Sequence, residues 1–229
     1  MKMRFFSWTT LPILALIAGS FQAHAQSTQI TSPAGLSPSD TTLTFSGPLG
    51  TNLGNPVNFA AGGNTLTFSN ANGFEVDQAG SNYFNTAFAN GTAILFGTGF
   101  EGSGGTATID FSTAVSEVGF NAEEFADGPY TMTFSAYDGA TWLGTYTANG
   151  SDPDGGFDST LSFEGVQATD GYDITSIVLS DADGNNLGIG PISYAAASSV
   201  TPEPSSFGLL FTGLAGLGEM IRRRTLRRS

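Results

Sequence analysis

Two acid-bearing stretches have the residue types and spacing for cation chemistry. Asp181-Ala-Asp183-Gly-Asn185 sets three oxygen donors at alternate positions, and Asp152-Pro-Asp154 with Asp158 makes a second acidic loop. Calcium is the cofactor such loops would hold, since it takes about six to eight oxygens in flexible geometry. Neither stretch is an EF-hand: Gly184 is out of place, and the twelfth positions from Asp181 and Asp152 are Ile192 and Phe163. Solvated Asp-Gly turns account for the same pattern. A second chemistry is carboxylate catalysis, in which two acids flank a sugar bond, and Glu75, Glu101, Glu117, Glu123, Glu124 and Glu164 are available for it. No motif brings two of them together, and Glu123-Glu124 beside Phe125 reads equally as a solvated loop. A third is sugar stacking. Trp142 and Tyr146 are four residues apart on one strand, hence expected on one face, with core packing as the alternative fate.

What is missing excludes more. All seven Lys and Arg residues lie at positions 2, 4, 222, 223, 224, 227 and 228, the one His is His24, and there is no Cys. Between residues 26 and 201 there is therefore no thiol nucleophile, no Ser-His-Asp relay and no imidazole to bind zinc. Of the twenty acids only Glu203 and Glu219 fall outside that segment, leaving eighteen carboxylates without a side-chain cation. Such a field repels nucleic acid and anionic membrane surfaces. The partners it admits are cations and neutral polymers such as extracellular polysaccharide.

These groups must be carried by strands. Thr41–Ser46, Asn64–Ser69, Thr92–Phe96, Gly105–Phe111, Val115–Asn121, Pro129–Tyr137, Thr141–Ala148, Thr160–Glu164, Asp173–Ser180 and Leu187–Tyr194 alternate or carry β-formers between Gly, Asn and Asp clusters. In Tyr130-Thr-Met-Thr-Phe-Ser-Ala-Tyr137 the period of two puts Tyr130, Met132, Phe134 and Ala136 inward, and Asp138-Gly139 marks a tight hairpin. No stretch of the domain has a helical period. The expectation is an all-β domain over 41–194, a β-sandwich of jelly-roll type. Residues 26–40 are expected to be a flexible mature N-terminus and 195–206 a linker. Thr-x-Thr pairs begin at 42, 65, 106, 131 and 145, and their uneven steps of 23, 41, 25 and 14 residues do not describe a solenoid. Outward Thr on amphipathic strands explains them.

The two ends frame this domain. Lys2 and Arg4, an apolar run from Leu11 to Gly19 and Ala23-His24-Ala25 form, in order, a signal peptide over 1–25, cut by signal peptidase after Ala25. The run is too short to cross a bilayer as a helix. Near the C-terminus Pro202-Glu203-Pro204 precedes an apolar stretch over 207–221 and a basic tail over 222–229 with Arg222, Arg223, Arg224, Arg227 and Arg228. The prolines hold Glu203 extended, the apolar part enters the membrane, and the arginines stop it with the tail in the cytoplasm. This tail resembles the PEP-CTERM sorting signal, and the resemblance implies an exported substrate of an exosortase-type enzyme, held briefly in the inner membrane and then placed at the cell surface or secreted. Phe111–Tyr194 resembles a β-sandwich module found in PEP-CTERM proteins, through Val115–Phe120, Tyr137-Asp-Gly, Leu143-Gly144 and Leu187–Tyr194, with Gly190 where an Asp commonly stands. The expected function is a non-catalytic matrix protein associated with exopolysaccharide. The alternatives are a carboxylate-dependent glycoside hydrolase and a purely structural, calcium-stiffened envelope module.

Overall fold

The computed structural model describes residues 26–38, 40–80, 87–98, 105–124, 128–152, 160–181 and 186–197. The expected signal peptide, PEP-type sorting motif, membrane stretch and arginine tail lie outside these residues. Thirteen strands account for the described fold: β1 (Ser27–Ile30), β2 (Thr41–Leu43), β3 (Asn52–Gly54), β4 (Val57–Ala61), β5 (Asn64–Asn70), β6 (Phe74–Gln78), β7 (Ala93–Gly97), β8 (Thr106–Glu124), β9 (Gly128–Asp138), β10 (Thr141–Asp152), β11 (Ser162–Ala168), β12 (Ile174–Asp181) and β13 (Leu187–Ala196). The domain is all-β, and every pairing between these strands is antiparallel.

Hydrogen bonding is continuous through β8, yet the chain folds as a sandwich because β8 serves both layers. Its first part, through Phe111, pairs with β5 and β12, and the order β10-β9-β12-β8-β5-β4 makes one layer. Its last part pairs with β11 and β13 in the other layer, which β1, β2, β7, β6 and β3 extend. Gly105–Phe111 and Val115–Asn121, expected as two strands, are thus one strand crossing between layers. The exposed residues Ser112 and Thr113 at the crossing break the alternation that a continuous strand would show. Aromatic edges join the layers: Phe68 of β5 meets Phe74 of β6 at 6.2 Å, and Phe111 meets Tyr194 of β13 at 6.0 Å. Tyr130, Met132, Phe134 and Ala136 are all buried in the core, as their period requires.

The N-terminal stretch is not loose. Ser27–Ile30 adds to β11, satisfying backbone groups that β11 would otherwise leave open at the sheet edge, and Ile30 is buried. A 3-10 turn over Pro33–Gly35 then brings Leu36 against Gly119, where any β-carbon would crowd it.

Candidate functional site

The β9–β10 hairpin turns at Gly139-Ala140, between the paired Asp138 and Thr141, with Gly139 at φ 56, the left-handed conformation that glycine adopts without strain. Just beyond it the register slips between Trp142 and Gly144, which inserts Leu143 as an extra, buried residue. Such a bulge changes which residues share a face. Trp142 pairs with Tyr137 and is 58% exposed, and its indole Nε1 donates to Thr145 Oγ1 at 3.0 Å. Tyr146, expected beside Trp142, points the other way. Its ring packs on Phe134 at 5.5 Å and its hydroxyl lies 2.8 Å from Ser27 Oγ. Gly144 is required there, because a β-carbon would stand 2.7 Å from the Tyr146 hydroxyl. The aromatic that does accompany Trp142 is Tyr137. Two large apolar residues in succession, Trp142-Leu143, are the one trace of the bulge in the sequence.

Antiparallel partners point to the same side of a sheet, so the printed registers define the outward face of the β10-to-β4 layer. One row runs Trp142, Tyr137, Ser176, Asp110, Thr67, Asn58 across six strands. A second runs Thr145, Ser135, Val178, Thr108, Ser69, and a third Thr147, Thr133, Ser180, Thr106. Four of the five Thr-x-Thr pairs thus meet on one face. Strand order, and not sequence period, assembles them. Several hydroxyls are tied to one another: Ser135 and Thr145 at 2.6 Å, Thr131 to Asn149 at 2.8 Å, and Thr67 to Asn58 at 2.8 Å. Asp110 is the sole carboxylate at these outward positions.

The acids have gone elsewhere, several of them inside. Glu123 and Glu124 are buried and not part of a solvated loop, and Glu123 Oε2 accepts the Ala87 N–H at 3.1 Å. Glu164 is 1% exposed; Oε1 accepts from Ser162 Oγ at 2.6 Å and Oε2 has no hydrogen-bond partner. Burial pushes its carboxyl up to about 8, with the Ser162 hydrogen bond opposing the rise, so it is protonated at neutral pH. Beside it the Tyr130 hydroxyl lies 3.1 Å from the Ala122 carbonyl and accepts the Ser162 N–H at 3.3 Å. Burial raises Tyr130 as well. In the N-terminal stretch the Asp40 carboxyl oxygens are buried beside Glu117, and burial, then the Glu117 charge and a side-chain hydrogen bond with it, raise Asp40 to about 6. Glu117 Oε1 accepts the Ser37 N–H at 3.0 Å.

Of the expected calcium donors, Asp181 is buried at the end of β12, where its N–H donates to Gly105 O at 2.8 Å. Asp152 ends β10 opposite Gly128. Asp154, Asp158, Asp183 and Asn185 lie outside the described residues, as does Glu101. Among the described residues no three His, Cys, Asp or Glu side chains converge to hold a metal. The registers set the ends of β10 and β12 at one end of their layer, and the Tyr130 hydroxyl, 3.1 Å from Ala122 O, brings the Glu124 end of β8 to the same end of the sandwich. At Gly190 a β-carbon would stand 2.4 Å from the Phe88 ring, so a side chain there would displace that ring.

No family model and no curated protein matches the chain. Among solved structures, a DUF4465 family protein from Bacteroides caccae is similar at TM-score 0.38 and 10% identity, covering 75% of this chain and 99% of that one. The CBM22-1–GH10 modules of Clostridium thermocellum endo-1,4-β-D-xylanase 10B, solved with xylohexaose, are similar at TM-score 0.35 and 11% identity over 56% of this chain. That match spans 26% of the xylanase chain. Neither likeness bears on ligand or activity.

Proposed function

We propose that the protein is a non-catalytic surface or matrix protein that associates with neutral extracellular polysaccharide through the Trp142 face. Signal peptidase releases it after Ala25, and an exosortase-type enzyme reads Pro202-Glu203-Pro204 while the segment over 207–221 sits in the inner membrane. The scaffold, at finer grain, is a jelly-roll type sandwich. The observation that carries the reading is Trp142, a 58% exposed indole on a folded strand. An exposed indole with its N–H already engaged offers a fixed apolar face to sugar C–H groups at little cost in ordering. Affinity electrophoresis tests it. Gels containing hydroxyethyl cellulose, xylan, dextran or the host's extracted exopolysaccharide should retard the exported chain, and Trp142→Ala should abolish the retardation. Free migration of the parent protein in every gel overturns the reading.

A calcium-stiffened module is the second reading, supported by the shared end at which β10 and β12 deliver Asp152 and Asp181. A native-state ligand raises stability with the logarithm of its concentration, whereas screening follows ionic strength whatever the ion. On this reading Ca2+ lifts the melting temperature above Mg2+ at matched ionic strength, and Asp181→Asn with Asp183→Asn removes the excess. Equal action of the two ions rules it out.

A further inference from the structure

We infer that an extended neutral polysaccharide lies across the strands of the outward face, along the row from Trp142 to Asn58, and that the hydroxyl rows are its binding surface. This inference rests on the polysaccharide reading and adds to it the course and class of the glycan. Three observations carry it. First, charge is partitioned: in a chain segment with eighteen carboxylates and no basic residue, Asp110 is the only acid among the described strand positions of this face, although solvent-facing strand positions are where surplus charge ordinarily goes. A face carrying a single carboxylate in so acidic a domain repels polyanions less than the rest of the surface, but holds no cation to bind them. Hydroxyl donors and acceptors complement a neutral polyol instead.

Second, the face is ordered before anything binds. Trp142 Nε1 is held by Thr145, which lies 2.6 Å from Ser135, and Thr67 is held by Asn58. Side chains already fixed by each other lose little rotamer entropy when a ligand arrives. Each hydroxyl still offers unused hydrogen-bonding capacity.

Third, the row has direction and length. Trp142 and Tyr137 stand together at the hairpin end, and Ser176, Asp110, Thr67 and Asn58 follow one per strand. At roughly 4.8 Å per strand the row spans about 24 Å. Aromatic stacking then anchors one end, Asp110 accepts from sugar hydroxyls midway, and the far hydroxyls reward length. A glycan lying along the strands would not meet this sequence of groups.

Length is what the experiment reads. Isothermal titration of the exported chain with a ladder of neutral oligosaccharides, cut from whichever polymer retards it, should show affinity rising with length until the chain spans the row. Thr67→Val with Thr108→Val removes two hydroxyls while keeping β-branched shape. This variant should bind short oligosaccharides as the parent does and long ones roughly tenfold more weakly, about 1.4 kcal/mol. Trp142→Ala should weaken both. Parent-like binding of long glycans by the double Val variant, or affinity independent of length, overturns the row while leaving a Trp142 site intact. Absence of glycan binding by the parent overturns the underlying reading. Loss of binding to long and short glycans alike in a double Val variant that melts as the parent does also contradicts the row.

Discussion

Trp142 faces Tyr137 across the β9–β10 hairpin, and Leu143, inserted between Trp142 and Gly144, turns inward and shifts the phase of the strand beyond it, so that Tyr146 points to the core. A single extra residue therefore decides which aromatic joins Trp142 on the surface and which one packs inside.

The two tyrosines should separate binding from stability. Tyr137→Ala is expected to weaken polysaccharide retention roughly tenfold while costing under about 1 kcal/mol, the scale of one cross-strand pair. Tyr146→Ala should leave retention near the parent's and cost about 2 kcal/mol or more, since it empties the space against Phe134 and strips Ser27 of its partner. Urea melts beside affinity gels check both, and the reverse pattern would place Tyr146 at the binding face.

Glu164 gives the domain a pH dependence of known sign. Its folded-state pKa is raised from 4.5 to about 8, so between those values the folded protein keeps a proton that the unfolded chain has lost. Stability therefore falls as pH rises through this window, by about 1.4 kcal/mol per unit and with a ceiling near 5 kcal/mol. Asp40, raised from 3.8 to about 6, adds a smaller loss of the same sign over its own window. Glu164→Gln keeps an acceptor for Ser162 Oγ and removes the ionisation. Its melting temperature should exceed the parent's at about pH 8 and converge with it near pH 4. Parallel parent and variant curves over that range would show that Glu164 is not held protonated.

Much of the all-β fold is legible in the sequence, and the departures from it have local causes. The period in Tyr130–Tyr137 and the Asp138-Gly139 turn gave β9, its inward face and the hairpin directly, because local pattern and tertiary burial agree there. The crossing of β8 was hidden by exposed Ser112 and Thr113, which read as a strand end. β3, β4 and β6 went unread because Asn52–Gly54, Val57–Ala61 and Phe74–Gln78 are short and mix Gly, Asn or acids into their alternation. Burial of Glu123, Glu124 and Glu164 runs against composition, since acids are expected outside. At the surface, Trp142 is exposed while Tyr146, expected on the same face, packs inward, because a bulge shifts the phase without changing the residue types. The Thr pairs were visible one strand at a time, and pairing between distant strands is what gathers them.

Processing has its own mass signature. If signal peptidase and an exosortase-type enzyme cut the two ends as proposed, the protein recovered from its host should begin at Gln26 and lack Arg222 to Ser229. Intact-mass spectrometry decides it, and arginines still attached to the surface-exposed form would exclude exosortase-type sorting.

Contact between Trp142 and polysaccharide has a direct reporter in the sequence. Its two tryptophans are Trp8 and Trp142, so once the signal peptide is gone all tryptophan emission comes from Trp142. Titrating the exported chain with the host's own extracted exopolysaccharide should shift that emission to the blue and shield it from acrylamide, while Tyr137→Ala should blunt both changes. Emission and quenching that stay constant to saturating polymer, in protein that still melts cooperatively, would contradict the account.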